Sequence, residues 1–105
     1  MNIALIGSTQ YKKRFRETQV RLEVEGHTVR MPFFDKDCKT ILEVIEHNRA
    51  MIEWADEVRL IWDGRSTGTI FDMGMVIALR KKLVIEFIEP KTFQMLFEEY
   101  EEATK

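Results

Sequence analysis

The chain has 105 residues, 45% of them hydrophobic and 32% charged, which suits one domain with a substantial core. Its formal net charge of −2 provides no broad basic field, so we expect no nucleic-acid partner. The single cysteine, Cys38, excludes an intrachain disulfide and a CxxC metal site. The opening residues lack the basic stretch of a signal peptide, and no apolar run approaches the roughly 20 residues of a membrane span. We therefore expect a soluble, cytoplasmic protein without membrane partners.

Hydrophobic periodicity predicts four strands that alternate with four helices. Apolar runs predict strands at residues 2–6, 27–31, 57–62 and 83–88, the first of them buried on both faces. Helical spacing predicts helices from residue 12 to a terminating Gly26, from about 39 to 54 and from about 70 to 80. A last helix follows Pro90, and its apolar stripe consists of Phe93, Leu96, Phe97 and Tyr100.

This alternation predicts an α/β protein with a parallel sheet covered by helices on both faces. Right-handed crossovers in a doubly wound, flavodoxin- or Rossmann-like fold give four to five strands in the order 2-1-3-4. The order reverses between the first and third strands. Open α/β sheets bind ligands at that switch point, outside the carboxyl ends of the strands.

Two short stretches of small, hydroxyl-bearing residues follow the two strands at the switch point. Backbone N–H groups, hydroxyls and a helix N-terminus together suit a phosphate or a nucleotide. Each stretch is also compatible with an ordinary strand-to-helix turn, with Ser8 or Thr9 as N-cap of its helix. The candidate binding residues are Gly7, Ser8 and Thr9 in the first stretch, and Asp63, Gly64, Ser66, Gly68 and Thr69 in the second.

Asp72 and Asn48 are the candidate catalytic residues. Asp72 is predicted either to act as a nucleophile or sugar-binding carboxylate, or to complete a capping box with Thr69 as N-cap. Asn48 lies in the second half of its helix, where a buried amide needs hydrogen-bond partners, and a place in the crevice would supply them. Asp35 and Asp37 are a poor ligand set for a metal ion. We therefore expect neither a metal nor a cofactor.

Taken in chain order, several segments resemble the nucleoside 2-deoxyribosyltransferase-like superfamily, which includes the deoxynucleoside-monophosphate N-glycosidases. The resemblance covers most of the chain. It rests on Ile3 to Ser8, on Gly26-His27-Thr28-Val29 with Pro32 after it, on His47-Asn48 followed by Ala55-Asp56, and on Gly68-Thr69-Ile70-Phe71-Asp72-Met73-Gly74.

The resemblance implies cleavage or transfer of the N-glycosidic bond of a (deoxy)nucleoside or its 5′-monophosphate. A carboxylate at the position of Asp72 would form a glycosyl-enzyme, which water or a second base resolves. Ser8 and Ser66 would hold the 5′-phosphate, and two copies would pair as a homodimer. The chain departs from the pattern in three places: Asp72 stands where relatives carry Glu, Asn48 where many carry an acid, and Ala4 where some carry an aromatic residue.

A second resemblance favours a different class of protein. Asn48-Arg49, Ala55-Asp56 and the stretch from Trp62 to Thr69 look like the Rossmann-like SLOG superfamily, whose members bind nucleotides or nucleotide-derived signals. The chain would then be a non-catalytic sensor module, and Asp72 would merely cap its helix. A third hypothesis is a protein-interaction domain that docks through the acidic residues 98–102.

Overall fold

A computed structural model describes residues 1–34, 39–89 and 94–105 of the chain. The predictions that involve Asp35, Asp37, Cys38, Pro90 and Phe93 lie outside these residues. In chain order the elements are β1 (Asn2–Gly7), a 3₁₀ helix (Thr9–Tyr11), α1 (Lys12–Val24), β2 (Thr28–Arg30), α2 (Ile41–Trp54), β3 (Glu57–Trp62), α3 (Thr67–Ala78), β4 (Lys82–Ile88) and α4 (Gln94–Ala103). Each predicted strand agrees with the observed one to within one residue at either end. None of these helices has the length and apolar character needed to cross a bilayer.

The four strands pair in parallel in the order β2-β1-β3-β4, which confirms the predicted doubly wound topology. Successive side chains of β1 point to opposite faces of the sheet and enter two separate cores. Ile3 and Leu5 pack with Phe15 of α1, whereas Ala4 and Ile6 belong to the core formed with α2, α3 and α4. The prediction of helices on both faces is therefore confirmed, with α1 on one side and three helices on the other.

The start of α3 differs from the prediction, and the capping box proposed for Thr69 and Asp72 is wrong. The helix begins at Thr67 with Ser66 as N-cap, so Asp72 lies about one and a half turns inside it. The reason is local. The Asp63 carboxylate accepts hydrogen bonds from the backbone N–H groups of Arg65 and Ser66, each at 2.8 Å, which turns the chain towards the helix earlier than expected.

A capping box does exist at the start of α2. The Glu43 backbone N–H donates to Thr40 Oγ1 at 3.1 Å, and the Thr40 backbone N–H donates to the Glu43 carboxylate at 3.3 Å. These reciprocal bonds satisfy two backbone donors that the first turn of a helix leaves without intrahelical partners. They fix the residue at which α2 begins, close to the end of the sheet where the switch point lies.

The outer edges of the sheet are both protected. On β4, the Ile85 N–H donates to the Glu101 carboxylate at 2.5 Å, and the Leu83 N–H donates to Thr104 Oγ1 at 3.3 Å. At the opposite edge, β2 has only three residues. Short strands and occupied edge amides both discourage pairing with a further strand. Glu101, one of the acidic residues considered for partner docking, thus makes an internal contact.

At Gly7, where β1 and β3 pair at their carboxyl ends, there is no room for a side chain. Its φ of +140° lies in a region that L side chains rarely adopt, and a Cβ added there would lie 1.6 Å from the Ile61 carbonyl oxygen. The next residue uses this proximity, because the Ser8 N–H donates to the same oxygen at 2.8 Å. The contact therefore requires glycine.

We expect Gly7→Ala to lower the free energy of unfolding by on the order of 3 kcal/mol or more, because the methyl group would force β1 and β3 apart. Gly74→Ala is the matched control. Gly74 lies on the exposed side of α3 with no atom within 4 Å of an added Cβ. The control should stabilise the protein by about 0.5–1 kcal/mol, since alanine favours the helix. Urea unfolding followed by circular dichroism measures both changes, and equal effects of the two variants would contradict the steric account.

Candidate functional site

A cavity of about 550 Å³ opens at the carboxyl ends of β1 and β3, where the strand order reverses. Its volume lies within the range of small-molecule sites. The lining residues are Gly7, Ser8, Thr9, Pro32, Lys39, Ile41, Val44, Ile45, Asn48, Ser66, Thr67, Gly68, Thr69, Phe71 and Asp72. The structure thus brings together both hydroxyl-rich stretches and the two candidate catalytic residues. Asp63 and Gly64 belong to the second stretch but do not line the cavity.

The side chains of Asn48 and Asp72 meet in the cavity. Asn48 extends from α2 and Asp72 from α3, and only 7% and 6% of their respective surfaces are exposed. Asn48 Nδ2 donates to both carboxylate oxygens of Asp72, at 3.4 Å to Oδ1 and 3.3 Å to Oδ2. Both distances are long for hydrogen bonds to a carboxylate. The amide therefore spans both oxygens of the carboxylate and orients it.

Within the part of the chain that the structure describes, two buried polar atoms of the site have no hydrogen-bond partner. Asn48 Oδ1 and Thr69 Oγ1 find no partner among the residues that the structure describes, and only 2% of the Thr69 surface is exposed. A buried polar atom without a partner is costly, and native proteins rarely leave one unsatisfied. Both residues line the cavity. A ligand that offers a hydrogen-bond donor to Asn48 would complete this part of the site.

Asp63 organises the loop between β3 and α3. Its Oδ1 accepts the two backbone bonds from Arg65 and Ser66 and also the Ser66 hydroxyl at 2.9 Å. Partial burial acts to raise the pKa of the Asp63 carboxyl, but the hydrogen bonds from Ser66 and Arg65 outweigh it and lower the pKa to about 2. From the core side, Trp62 Nε1 donates to the Ser66 carbonyl at 3.1 Å. The loop is therefore held on both sides.

The two hydroxyl-rich stretches are also bonded to each other. Ser8 Oγ lies 2.9 Å from Ser66 Oγ, and it accepts the Asp63 backbone N–H at 2.9 Å. Ser8 is 3% exposed, so this contact is shielded from bulk water. The sequence predicted that the stretches would converge. It did not predict that both serines would already be engaged with Asp63.

One wall of the cavity is apolar, which the sequence reasoning missed. Ile41, Val44 and Ile45 of α2 line the cavity together with Phe71. Ile41 and Phe71 are 81% and 55% exposed. The sequence does contain a sign of this wall, because the apolar residues of α2 begin at Ile41, the first residue of the helix. Lys39 also lines the cavity, and its ammonium lies 4.9 Å from the centre of the Phe33 ring.

Comparison of the chain with family models, with curated proteins and with solved structures gave no match. The class of the protein is therefore defined by its own geometry. It is a doubly wound α/β protein with a cavity at the switch point, and that cavity combines a buried carboxylate, a hydroxyl-rich side and an apolar wall.

Acid should weaken the loop through Asp63. Because its folded-state pKa of about 2 is below the ordinary 3.8, the ionised carboxylate favours the folded state above about pH 4. That contribution disappears as the pH falls through about 2. We expect wild type to be more stable than Asp63→Asn near neutral pH, and the difference to shrink between about pH 4 and pH 2. Urea midpoints at each pH measure it, and a difference independent of pH would contradict the assignment.

Proposed function

We propose that this protein is a nucleoside 2-deoxyribosyltransferase-like enzyme that cleaves or transfers the N-glycosidic bond of a (deoxy)nucleoside or its 5′-monophosphate. The observation that carries the proposal is the buried Asp72 carboxylate, which lies in the switch-point cavity with Asn48 across both of its oxygens. The proposal also draws on the resemblance of the sequence to that superfamily. We further propose that the protein works in the cytoplasm, which is a reducing compartment.

The proposed chemistry has two steps. In the first, one Asp72 carboxylate oxygen attacks the anomeric carbon of the sugar, and an ester bond forms as the bond to the base breaks. The base leaves with the bonding electrons and takes up a proton from water. In the second step, water or a second base attacks the same carbon, and Asp72 is released as a carboxylate. Asn48 holds the carboxylate in the orientation that attack requires.

The two sides of the cavity support a ligand with one polar and one apolar part. Ser66 makes no side-chain capping hydrogen bond, and Thr67, Gly68 and Thr69 in the first turn of α3 line the cavity. The first N–H groups of a helix have no partner within the helix, so they are available to a polar ligand. The apolar wall on α2 would contact the flat face of a base. The carboxylate is accessible from the same cavity, as cleavage of the bond between sugar and base requires.

A non-catalytic nucleotide-binding module is the second candidate function. Two features support it. Asp72 is one methylene shorter than the glutamate that the deoxyribosyltransferase-like proteins carry at this position, and the stretch from Trp62 to Thr69 resembles the SLOG superfamily. A displacement of about 1 Å can lower a rate on the order of 10²-fold. In this case Asp72 and Asn48 would bind ligand hydroxyls without forming a covalent bond.

Asp72→Asn separates the two functions. If Asp72 is the nucleophile, the variant should lose base release by at least about 10³-fold, because the amide cannot attack, while the fold is retained. Free base is measured by chromatography over a panel of deoxy- and ribonucleosides and their 5′-monophosphates, with the ligand-induced thermal shift recorded in parallel.

Asp56→Asn is the matched control. Asp56 is an exposed carboxylate at the opposite end of the strands, where it accepts the Asn2 backbone N–H at 2.8 Å. This variant should keep wild-type turnover. A thermal shift with no base release from any substrate would favour the binding module. Base release that survives in Asp72→Asn would overturn the proposed nucleophile, and the absence of both signals would favour the interaction domain.

We also propose that two copies of the chain pair. The resemblance implies a homodimer, and support comes from exposed apolar side chains near the mouth of the cavity: Ile41, Phe71 and Leu42, the last 66% exposed. Leu42→Glu should shift sedimentation from dimer to monomer at tens of micromolar, because a charge in an apolar interface is poorly tolerated. Val20→Glu, at an exposed position of α1 on the other face of the sheet, is the control. A monomeric wild type would rule out the pairing.

A further inference from the structure

The hydrogens of the two serine hydroxyls are already in use. An ionised Asp63 can only accept, so the bond between Ser66 Oγ and Asp63 Oδ1 takes the one hydroxyl hydrogen of Ser66. The bond between the two serines must then take the hydrogen of Ser8, whose oxygen accepts the Asp63 N–H in addition. Each hydroxyl therefore has only a lone pair left for a ligand.

This pattern suits a hydroxyl group better than a phosphate. The 5′-hydroxyl of a nucleoside can donate to either serine oxygen. A phosphate monoester at neutral pH carries a charge of about −1.5 to −2, and its oxygens act mainly as acceptors. To bind it, the serines would have to turn their hydrogens away from Asp63 and from each other. At the two serine hydroxyls, the hydrogen-bond count thus favours the unphosphorylated ligand.

The negative charge of Asp63 also favours the unphosphorylated ligand. An atom in contact with Ser66 Oγ at about 2.8 Å lies no more than about 5.7 Å from Asp63 Oδ1, which is within a Debye length at physiological salt. The N-terminus of α3 offers a partial charge of about +0.5, smaller than the full negative charge of the carboxylate. Lys39, the basic residue among the described lining residues, has its ammonium over the Phe33 ring. The negative charge of Asp63 therefore opposes a phosphate at the serines.

The part of the cavity around Asn48 and Thr69 also favours a ligand that donates hydrogen bonds. Asn48 Oδ1 can only accept, and it is buried without a partner among the described residues. Thr69 Oγ1 can accept as well as donate. Sugar hydroxyls supply such donors, and a neutral sugar brings no charge to oppose the two carboxylates.

We infer that the site takes the unphosphorylated nucleoside in preference to its 5′-monophosphate, and that Asp63 is the residue that sets this preference. The inference rests on the proposed function, because it names the substrate class of the same cavity. It assigns Asp63 a role through the serines, although its side chain does not line the cavity.

Calorimetric binding of a matched nucleoside and 5′-monophosphate tests the inference. Both ligands are titrated into the Asp72→Asn protein, so that neither is consumed. We expect the nucleoside to bind at least about 10-fold more tightly. Adding Asp63→Asn keeps an oxygen that can accept the Arg65 and Ser66 N–H groups but removes the charge. The preference should then fall to about 3-fold or less.

Two further measurements make the test independent of one variant. Salt screens the repulsion, so raising NaCl from about 0.05 M to about 0.5 M should narrow the preference when Asp63 is present and leave it unchanged in Asp63→Asn. Ser66→Ala removes the group that accepts the Ser8 hydroxyl hydrogen, which can then donate to a phosphate. The ratio of the two Kd values should therefore fall in part. Asp56→Asn is the control carboxylate and should leave the ratio of the two Kd values unchanged.

The outcomes distinguish this inference from the proposed function. Tighter binding of the 5′-monophosphate, or a ratio that Asp63→Asn does not change, would overturn the preference and leave the N-glycosidase proposal intact. A nucleoside preference without base release by wild type would support the inference and overturn the chemistry. If neither ligand binds, both proposals fall.

Discussion

The close approach of β1 to β3 at Gly7 is the constraint on which the rest of the site depends. Because Gly7 has no side chain, the Ser8 N–H reaches the Ile61 carbonyl, and Ser8 Oγ comes within reach of the neighbouring loop. That loop in turn determines where α3 begins. The start of α3 sets the position of Asp72 opposite Asn48, so one backbone contact is linked through hydrogen bonds to the geometry of the cavity.

The Asn48–Asp72 pair illustrates how the fold keeps a carboxylate both buried and usable. Removing an ionised group from water is unfavourable unless hydrogen bonds compensate. Here the amide donates across both oxygens at distances that leave each bond weak. The same amide leaves its own oxygen without a partner among the described residues. The arrangement is stable enough to form, yet incomplete without a molecule in the cavity.

Much of the fold could be predicted from the sequence, because burial leaves a periodic record along the chain. The run from Ile3 to Ile6 marked a strand buried on both faces, and the alternation of strands and helices led to the strand order. The convergence of the two hydroxyl-rich stretches followed from that order. The role of Asp63 could not be predicted in the same way. It depends on hydrogen bonds between a side chain and particular backbone groups, and these leave no periodic pattern. The same bonds moved the start of α3 and removed the predicted cap at Thr69.

The contact between α4 and the edge of β4 affects the tendency of the protein to aggregate at high concentration. Glu101 and Thr104 occupy amides that a strand from another molecule would need, and β2 is too short to offer a long row of such groups. Growth of the sheet from molecule to molecule, the first step towards fibrillar aggregates, is therefore opposed at both ends. The acidic helix α4 thus helps to keep the four-stranded sheet from extending into a polymer.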